Sequence, residues 1–393
     1  MPEPATVTGA DLPPVPRYAG AHVRHVLPSA AAALGVPGFE NSLGVPRARR
    51  VCVVMVDGLG LGLLKESAGH APFLRSVLGT NRALDAAFPT TTAASLASFG
   101  TGAPPVAHGV VGYDVVDPAR RRVVNQLGNW PSDLDPVGWQ PVPTVLERAA
   151  GTLHVATVSL PEFADSQLTR AALRGGAFVG AKTIQARVQA AQRELSGHER
   201  ALVYLYLNEL DKTGHRHGAD SGRWRDQLEE IDFALRTLVK RLPAGTLVLL
   251  TADHGMVDVS RENRIDYSLV PGLVDGVQLT AGEPRAVQLH VASGDAAAAD
   301  RAADAWRDEF GRRVWVLRRE EAIGAGFLGD PADLRGGVAE RIGDVLVLPR
   351  DADLALYDGR RVAPHAFDMV GQHGGLTRAE REVPLLTLAR PAK

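Results

Sequence analysis

Val51-Cys52-Val53-Val54-Met55-Val56 runs without a break into Asp57-Gly58. Six apolar residues with no polar alternation read as a strand covered on both faces, the pattern of a parallel sheet with helices on either side. Two more runs have the same texture, Ala201-Leu-Val-Tyr-Leu-Tyr-Leu207 and Leu247-Val-Leu-Leu250. The segment from Trp224 to Leu242 sets Trp224, Leu228, Ile231, Leu235, Leu238 and Leu242 at steps of three and four, one apolar face of a helix, and Pro243 and Gly245 end it. Alternating strands and helices predict an α/β fold with an open, mostly parallel sheet flanked by helices. The texture changes over residues 261–343. There Val287–Val291, an Ala-rich helix from Asp295 to Phe310 and Val314–Leu317 predict a small α+β insert, cap-like, in a core formed by 1–260 and 344–393. Asp344-Val-Leu-Val-Leu348 reads as the return to the main sheet.

The 393 residues carry a formal net charge of −2, with 45% hydrophobic and 22% charged residues. That balance supplies a core and leaves no basic footprint for nucleic acid and no polybasic membrane patch. No stretch approaches the ~20 apolar residues of a membrane helix. Met1 to Gly20 is proline-rich and lacks a basic segment followed by an apolar one, so it reads as an unprocessed, soluble start. Cys52 is the only cysteine, which excludes an intramolecular disulfide and fits a reducing compartment; a cytoplasmic location is expected.

The strand ends carry the chemistry. The first run ends in Asp57-Gly58, the second in Asn208-Glu209-Leu210-Asp211, the third in Thr251-Ala252-Asp253-His254-Gly255. Ligands of open α/β sheets bind beyond the carboxyl ends of the strands, and carboxylates gathered there repel one another unless a cation joins them. Asp211 and His215, four apart, share one face of a helical turn, and their oxygen and nitrogen donors suit zinc. His373 adds a third imidazole in the glycine-rich Gly371-Gln-His-Gly-Gly375. Phe88-Pro-Thr-Thr-Thr92-Ala-Ala-Ser95 ends an extended segment and opens a helix with hydroxyl residues. A hydroxyl in that place can serve as an N-cap, while the helix N-terminus favours an anion such as phosphate. A threonine alcohol is a weak nucleophile until a metal stabilises its alkoxide.

Taken in order, Asp57-Gly, Phe88-Pro-Thr-x-Thr92, Asp211-x-x-Gly-His215, Ala252-Asp-His-Gly255 and His373-Gly-Gly resemble the metal motifs of the alkaline phosphatase superfamily, and within it the type I phosphodiesterase/nucleotide pyrophosphatase branch. The resemblance spans positions 57 to 375. It implies an alkaline-phosphatase-like fold and two divalent cations, expected to be Zn2+, about 4 Å apart. Asp57, Asp253 and His254 would hold one, which also contacts the Thr92 oxygen, and Asp211, His215 and His373 the other. It implies Thr92 as nucleophile in two in-line steps through a phospho-threonine, with a small-molecule phosphate ester or nucleotide as substrate.

The chain departs from the branch in three places. Ala93-Ala-Ser95 stands where the branch usually has Phe-Pro-Asn after its nucleophile, Tyr113 replaces a phosphate-contacting Asn, and Glu209-Leu-Asp211 replaces Glu-Pro-Asp. Tyr113 either reaches a phosphate oxygen or simply packs. A phosphomonoesterase of the same superfamily and a non-catalytic, metal-stabilised binding module are the alternatives. A sulfatase is disfavoured because the Cys/Ser-x-Pro-x-Arg context is missing. His108, His217, His290, His365 and Cys52 are read as structural or as exposed loop residues.

Overall fold

The computed structural model describes residues 12–391; of the proline-rich N-terminal segment, residues 1–11 lie outside them. Its centre is a seven-stranded sheet in the order Arg82–Asp85, Glu382–Ala389, Thr246–Thr251, Arg50–Val56, Ala201–Leu207, His154–Ser159, Ala177–Gly180. All neighbouring pairs from Thr246–Thr251 to Ala177–Gly180 are parallel, and Glu382–Ala389 alone runs antiparallel to both its neighbours. Arg50–Val56, with Val51 to Val56 fully buried, lies between Ala201–Leu207 and Thr246–Thr251. All three unbroken apolar runs are therefore adjacent central strands, which is why none alternates.

The helix expected from Trp224 spans Gly222–Lys240, and Trp224, Leu228, Ile231, Leu235 and Leu238 are its buried face. Ser221 caps it by accepting the Trp224 N–H. Among the described residues, no helix is long and apolar enough to cross a membrane.

A second sheet has six strands, in the order Val314–Arg318, Val345–Pro349, Ala286–His290, Leu279–Glu283, Asp114–Asp117, Arg122–Asn125, all antiparallel. The Ala-rich helix, Ala296–Phe310, buries Ala299, Ala303 and Trp306 in a separate apolar cluster with Val287, Leu289, Val345 and Val347. Two findings depart from the expected layout. Strand Val345–Pro349 does not return to the main sheet; it lies between two strands of the second sheet, with Val347 opposite both Val287 and Val316. The hairpin 114–125, expected within the core, joins the same sheet through Asp114 and Gly282. An apolar run such as Val345–Leu348 satisfies either buried sheet, so its composition does not choose between them.

Candidate metal centre and nucleophile

Three adjacent parallel strands in register, with Val56 opposite Leu207 and Met55 opposite Thr251, end at one level. Asp57 follows its strand directly, Asp253 follows its strand after Ala252, and Asp211 lies in the first turn of the helix Glu209–His217. The chain turns sharply after Asp57 at Gly58, which has φ 74° and donates its N–H to Asp253 Oδ1 at 3.2 Å. Asp253 is fully buried and Asp57 is 3% exposed.

Each carboxylate keeps one oxygen in reserve. Asp57 Oδ1, Asp211 Oδ1 and Asp253 Oδ2 are buried with no hydrogen-bond partner. The second Asp57 oxygen accepts the Tyr206 hydroxyl, and the second Asp253 oxygen accepts the Gly58 and His254 N–H groups. Burial, and then the fields of Asp253 and Asp211, push the Asp57 carboxyl well above the usual range. Burial, with Asp211 next, pushes Asp253 up to about 7. Burial opposes ionisation of Asp211 too, but the imidazoles of His215, His373 and His254 outweigh it and hold this carboxyl low.

The histidines are arranged in the complementary way. Nδ1 of His254 lies 2.9 Å from the Gly255 carbonyl, Nδ1 of His215 2.8 Å from that of Gly371, and Nδ1 of His373 2.9 Å from that of Thr90. A carbonyl only accepts, so each Nδ1 carries the hydrogen and each Nε2 presents a lone pair. Those lone pairs converge. The Nε2 atoms of His215 and His373 are 3.3 Å apart, and Asp211 Oδ2 is 3.2 Å from His215 Nε2. His254 Nε2 is 3.4 Å from Asp57 Oδ1 and 3.5 Å from Asp253 Oδ2. Within 4.8 Å of one another lie ligand atoms of Asp211, His215 and His373, and likewise of Asp57, Asp211 and His254. Unpartnered carboxylate oxygens facing oriented imidazole lone pairs fit divalent cations, and backbone carbonyls behind ligand histidines are the usual outer support of a metal site.

Thr92 opens the helix Thr92–Thr101 behind the N-cap Thr91. Its hydroxyl donates to His254 Nε2 at 3.1 Å. All six expected ligands and Thr92 are thus brought together. Tyr113 is set apart from them: it is half-exposed, its backbone N–H donates to Glu283, and it borders a cavity of about 560 Å3 that also reaches Thr92, Asp211, His215 and His373. A smaller cavity of about 190 Å3 reaches Asp57, Thr92 and Asp211 from beside strands His154–Ser159 and Ala177–Gly180 and is lined by Leu96, Phe163, Leu173 and Phe178. Thr92, Leu127 and Asp211 border both.

Several residues at the site escape sequence reasoning. Tyr206 is hidden inside an apolar strand, although a second tyrosine two positions from Tyr204 places both hydroxyls on one face. Glu380, fully buried, accepts Nε and Nη2 of Arg285 at 2.6 and 2.9 Å and the Gly375 N–H at 2.8 Å, bracing the loop that carries His373. His365, read as structural, borders the larger cavity. His108 is buried against Ser98 Oγ at 2.9 Å, and His290 lies in a second-sheet strand, both as read.

Solved structures of other proteins share the fold. Murine ectonucleotide pyrophosphatase/phosphodiesterase 5, solved as an inactive variant with AMP, superposes with a TM-score of 0.66 at 17% identity, covering 86% of this chain and 87% of that one. Phosphonoacetate hydrolase from Sinorhizobium meliloti gives 0.64 at 20% identity, covering 88% and 91%. Among sequence relatives, rat ectonucleotide pyrophosphatase/phosphodiesterase family member 7 is 31% identical over 83 residues, 20% of this chain and 19% of the relative. Venom phosphodiesterase from Macrovipera lebetinus is 26% identical over 256 residues, 61% of this chain and 28% of the relative. The chain thus spans less than a third of the length of either sequence relative. Residues 51–376, which contain every candidate ligand and Thr92, match the family model of type I phosphodiesterase/nucleotide pyrophosphatase, and the chain belongs to that family.

Proposed function

We propose that the protein is a metal-dependent phosphodiesterase of nucleotide pyrophosphatase type that hydrolyses phosphate esters through a phospho-threonine at Thr92. The observation that carries this reading is the position of Thr92. Its hydroxyl is held by His254 among three carboxylates with unpartnered oxygens, where two separate cavities meet. A phosphodiester has two substituents to house, and a monoester has one.

Asp57, Asp253 and His254 would hold one divalent cation and Asp211, His215 and His373 a second, zinc by their donor chemistry; the ions would supply Lewis acidity towards the phosphate and leaving oxygens. The first turn of helix Thr92–Thr101 directs N–H groups at the phosphate and favours its charge. Thr92 Oγ forms a bond to phosphorus as the bond to the departing oxygen breaks, and the hydroxyl proton ends on the released alcohol. Water then attacks the phospho-threonine, the bond to Thr92 Oγ breaks, and Thr92 regains a proton. The apolar smaller cavity suits an aromatic ring such as a nucleobase.

The small residues Ala93-Ala-Ser95 favour a phosphomonoesterase instead, and one comparison separates the two. Wild type should turn over bis-p-nitrophenyl phosphate in preference to p-nitrophenyl phosphate, and Thr92→Ala should lose activity while retaining metal by elemental analysis. A strong preference for the monoester overturns the proposal, as does an active Thr92→Ala.

A further inference from the structure

Three carboxylates outside the candidate ligand set border the larger cavity: Asp114, Glu283 and Asp358. Two are already matched. Asp114 takes Nη2 of Arg361 at 2.6 Å, and Asp358 takes Nε and Nη2 of Arg360 at 2.8 and 2.7 Å. Glu283 is not. Its Oε2 accepts the Tyr113 backbone N–H at 2.8 Å, Oε1 has no hydrogen-bond partner, and among the described residues no cationic side chain forms an ion pair with it. Yet it is only 7% exposed. It lies against Gly374, so this unmatched acid borders the cavity beside the loop that carries His373.

A buried carboxylate without a counter-charge is costly in either protonation state, since the neutral acid still lacks a partner for its second oxygen. The surroundings make the anion costlier: burial first, then the fields of Asp114 and Glu380. A cation entering the cavity relieves that cost. A polyanion meets three carboxylates there and one arginine, Arg361, whose guanidinium is already engaged by Asp114 and the Thr280 carbonyl.

We infer that Glu283 anchors a primary ammonium on the substituent that a phosphodiester places in the larger cavity, so that amino-alcohol diesters are preferred over polyphosphate esters. The inference rests on the phosphodiesterase reading and selects its substrate class. Two isosteric probes isolate the charge: 2-aminoethyl p-nitrophenyl phosphate and propyl p-nitrophenyl phosphate, whose aryl ring suits the apolar cavity. For wild type, kcat/KM for the aminoethyl ester should exceed that for the propyl ester on the order of tenfold, the scale of one charge-assisted hydrogen bond. In Glu283→Gln the ratio should fall to near unity. If that variant does not fold, Glu283→Asp, which keeps the charge but withdraws it, should lower the ratio severalfold. Equal rates for the two esters in wild type overturn the inference and leave the phosphodiesterase reading intact, as does a ratio unchanged in either folded variant. Failure of wild type to hydrolyse bis-p-nitrophenyl phosphate and the propyl ester sinks the phosphodiesterase reading itself.

Discussion

Gly255 stands where an added side chain would meet backbone beside a candidate ligand, and Gly255→Ala measures how rigidly the site is held. A methyl group added there would stand 1.9 Å from the Ala379 carbonyl oxygen and 3.0 Å from Gly60 Cα, all of it backbone. Ordinary van der Waals contact needs a separation of about 1.5 Å more than that first distance, so one of the two chains must move by that order. The far chain is poorly placed to yield, because Glu380 accepts from Arg285, Gly375 and Thr377 and is fully buried. The near chain therefore shifts. The Gly255 carbonyl is what orients His254 through Nδ1, and His254 Nε2, the candidate ligand atom, lies 3.1 Å from the Thr92 hydroxyl. A displacement of about 1 Å in a reacting group costs on the order of 100-fold in rate, and overpacking costs about 1–3 kcal/mol in stability. We expect kcat/KM for bis-p-nitrophenyl phosphate to fall roughly 100-fold, with a lowered unfolding midpoint. Gly69→Ala is the control, since a methyl group there meets nothing within 4 Å. A Gly255→Ala protein with wild-type rate and wild-type unfolding would refute the argument that this contact sets the site.

Glu380→Gln should destabilise the fold by about 3–5 kcal/mol in urea unfolding, because it leaves the fully buried Arg285 guanidinium without its counter-charge; a change within experimental error would show that the pair is dispensable. Although burial opposes it, Arg285, helped by Thr377 and Gly375, holds the Glu380 carboxyl below its ordinary range. A carboxyl depressed in the folded state stabilises above its unfolded pKa of about 4.3 and loses that contribution as pH falls through the folded value. The stability gap between wild type and Glu380→Gln should hence be constant above about pH 5 and narrow in more acidic solution; a gap that widens there contradicts the sign. Chelation should lower the thermal midpoint by several degrees, with about two equivalents of zinc restoring it, as expected for ions that bind only the folded chain. An unchanged midpoint would argue against cations among these carboxylates.

What could be read without the structure follows from how much of each feature is local. The strands ending at Asp57, Asp211 and Asp253 announce themselves because a strand buried on both faces needs an unbroken apolar run, and the helix Gly222–Lys240 because one face of it recurs every three or four residues. Sheet membership is not local. Val345–Pro349 is as apolar as any main-sheet strand, and its partners, Ala286–His290 and Val314–Arg318, are fixed by how the chain between them closes. Arg285 and Glu380 are 95 residues apart and neither sits in a recognisable motif, so their pairing is a product of the fold alone. Glu283 is hidden for the same reason: what distinguishes it is the missing partner, which only the packed structure reveals.

The site itself was legible because its residues conflict with folding unless something else is present. Carboxylates at the ends of three neighbouring strands gain nothing from burial; Asp57 is driven towards protonation by it and by Asp253 and Asp211, and Asp253 by it and by Asp211. Had the fold used these positions only to cap turns, each oxygen would have found a backbone N–H, as Asp253 Oδ1 does with Gly58 and His254. Instead one oxygen of each is left over, and three imidazoles turn their Nε2 atoms towards the same volume with Nδ1 committed to backbone carbonyls. Unpartnered carboxylate oxygens and imidazole lone pairs turned towards one volume suit a positive charge, which would offset the repulsion among Asp57, Asp211 and Asp253. On that argument Asp57→Asn should raise the stability of the chelated protein while abolishing hydrolysis, a pairing of effects that unfolding with and without chelator, beside a rate measurement, would test. A substitution that lowers stability equally under both conditions would mark Asp57 as an ordinary structural residue instead.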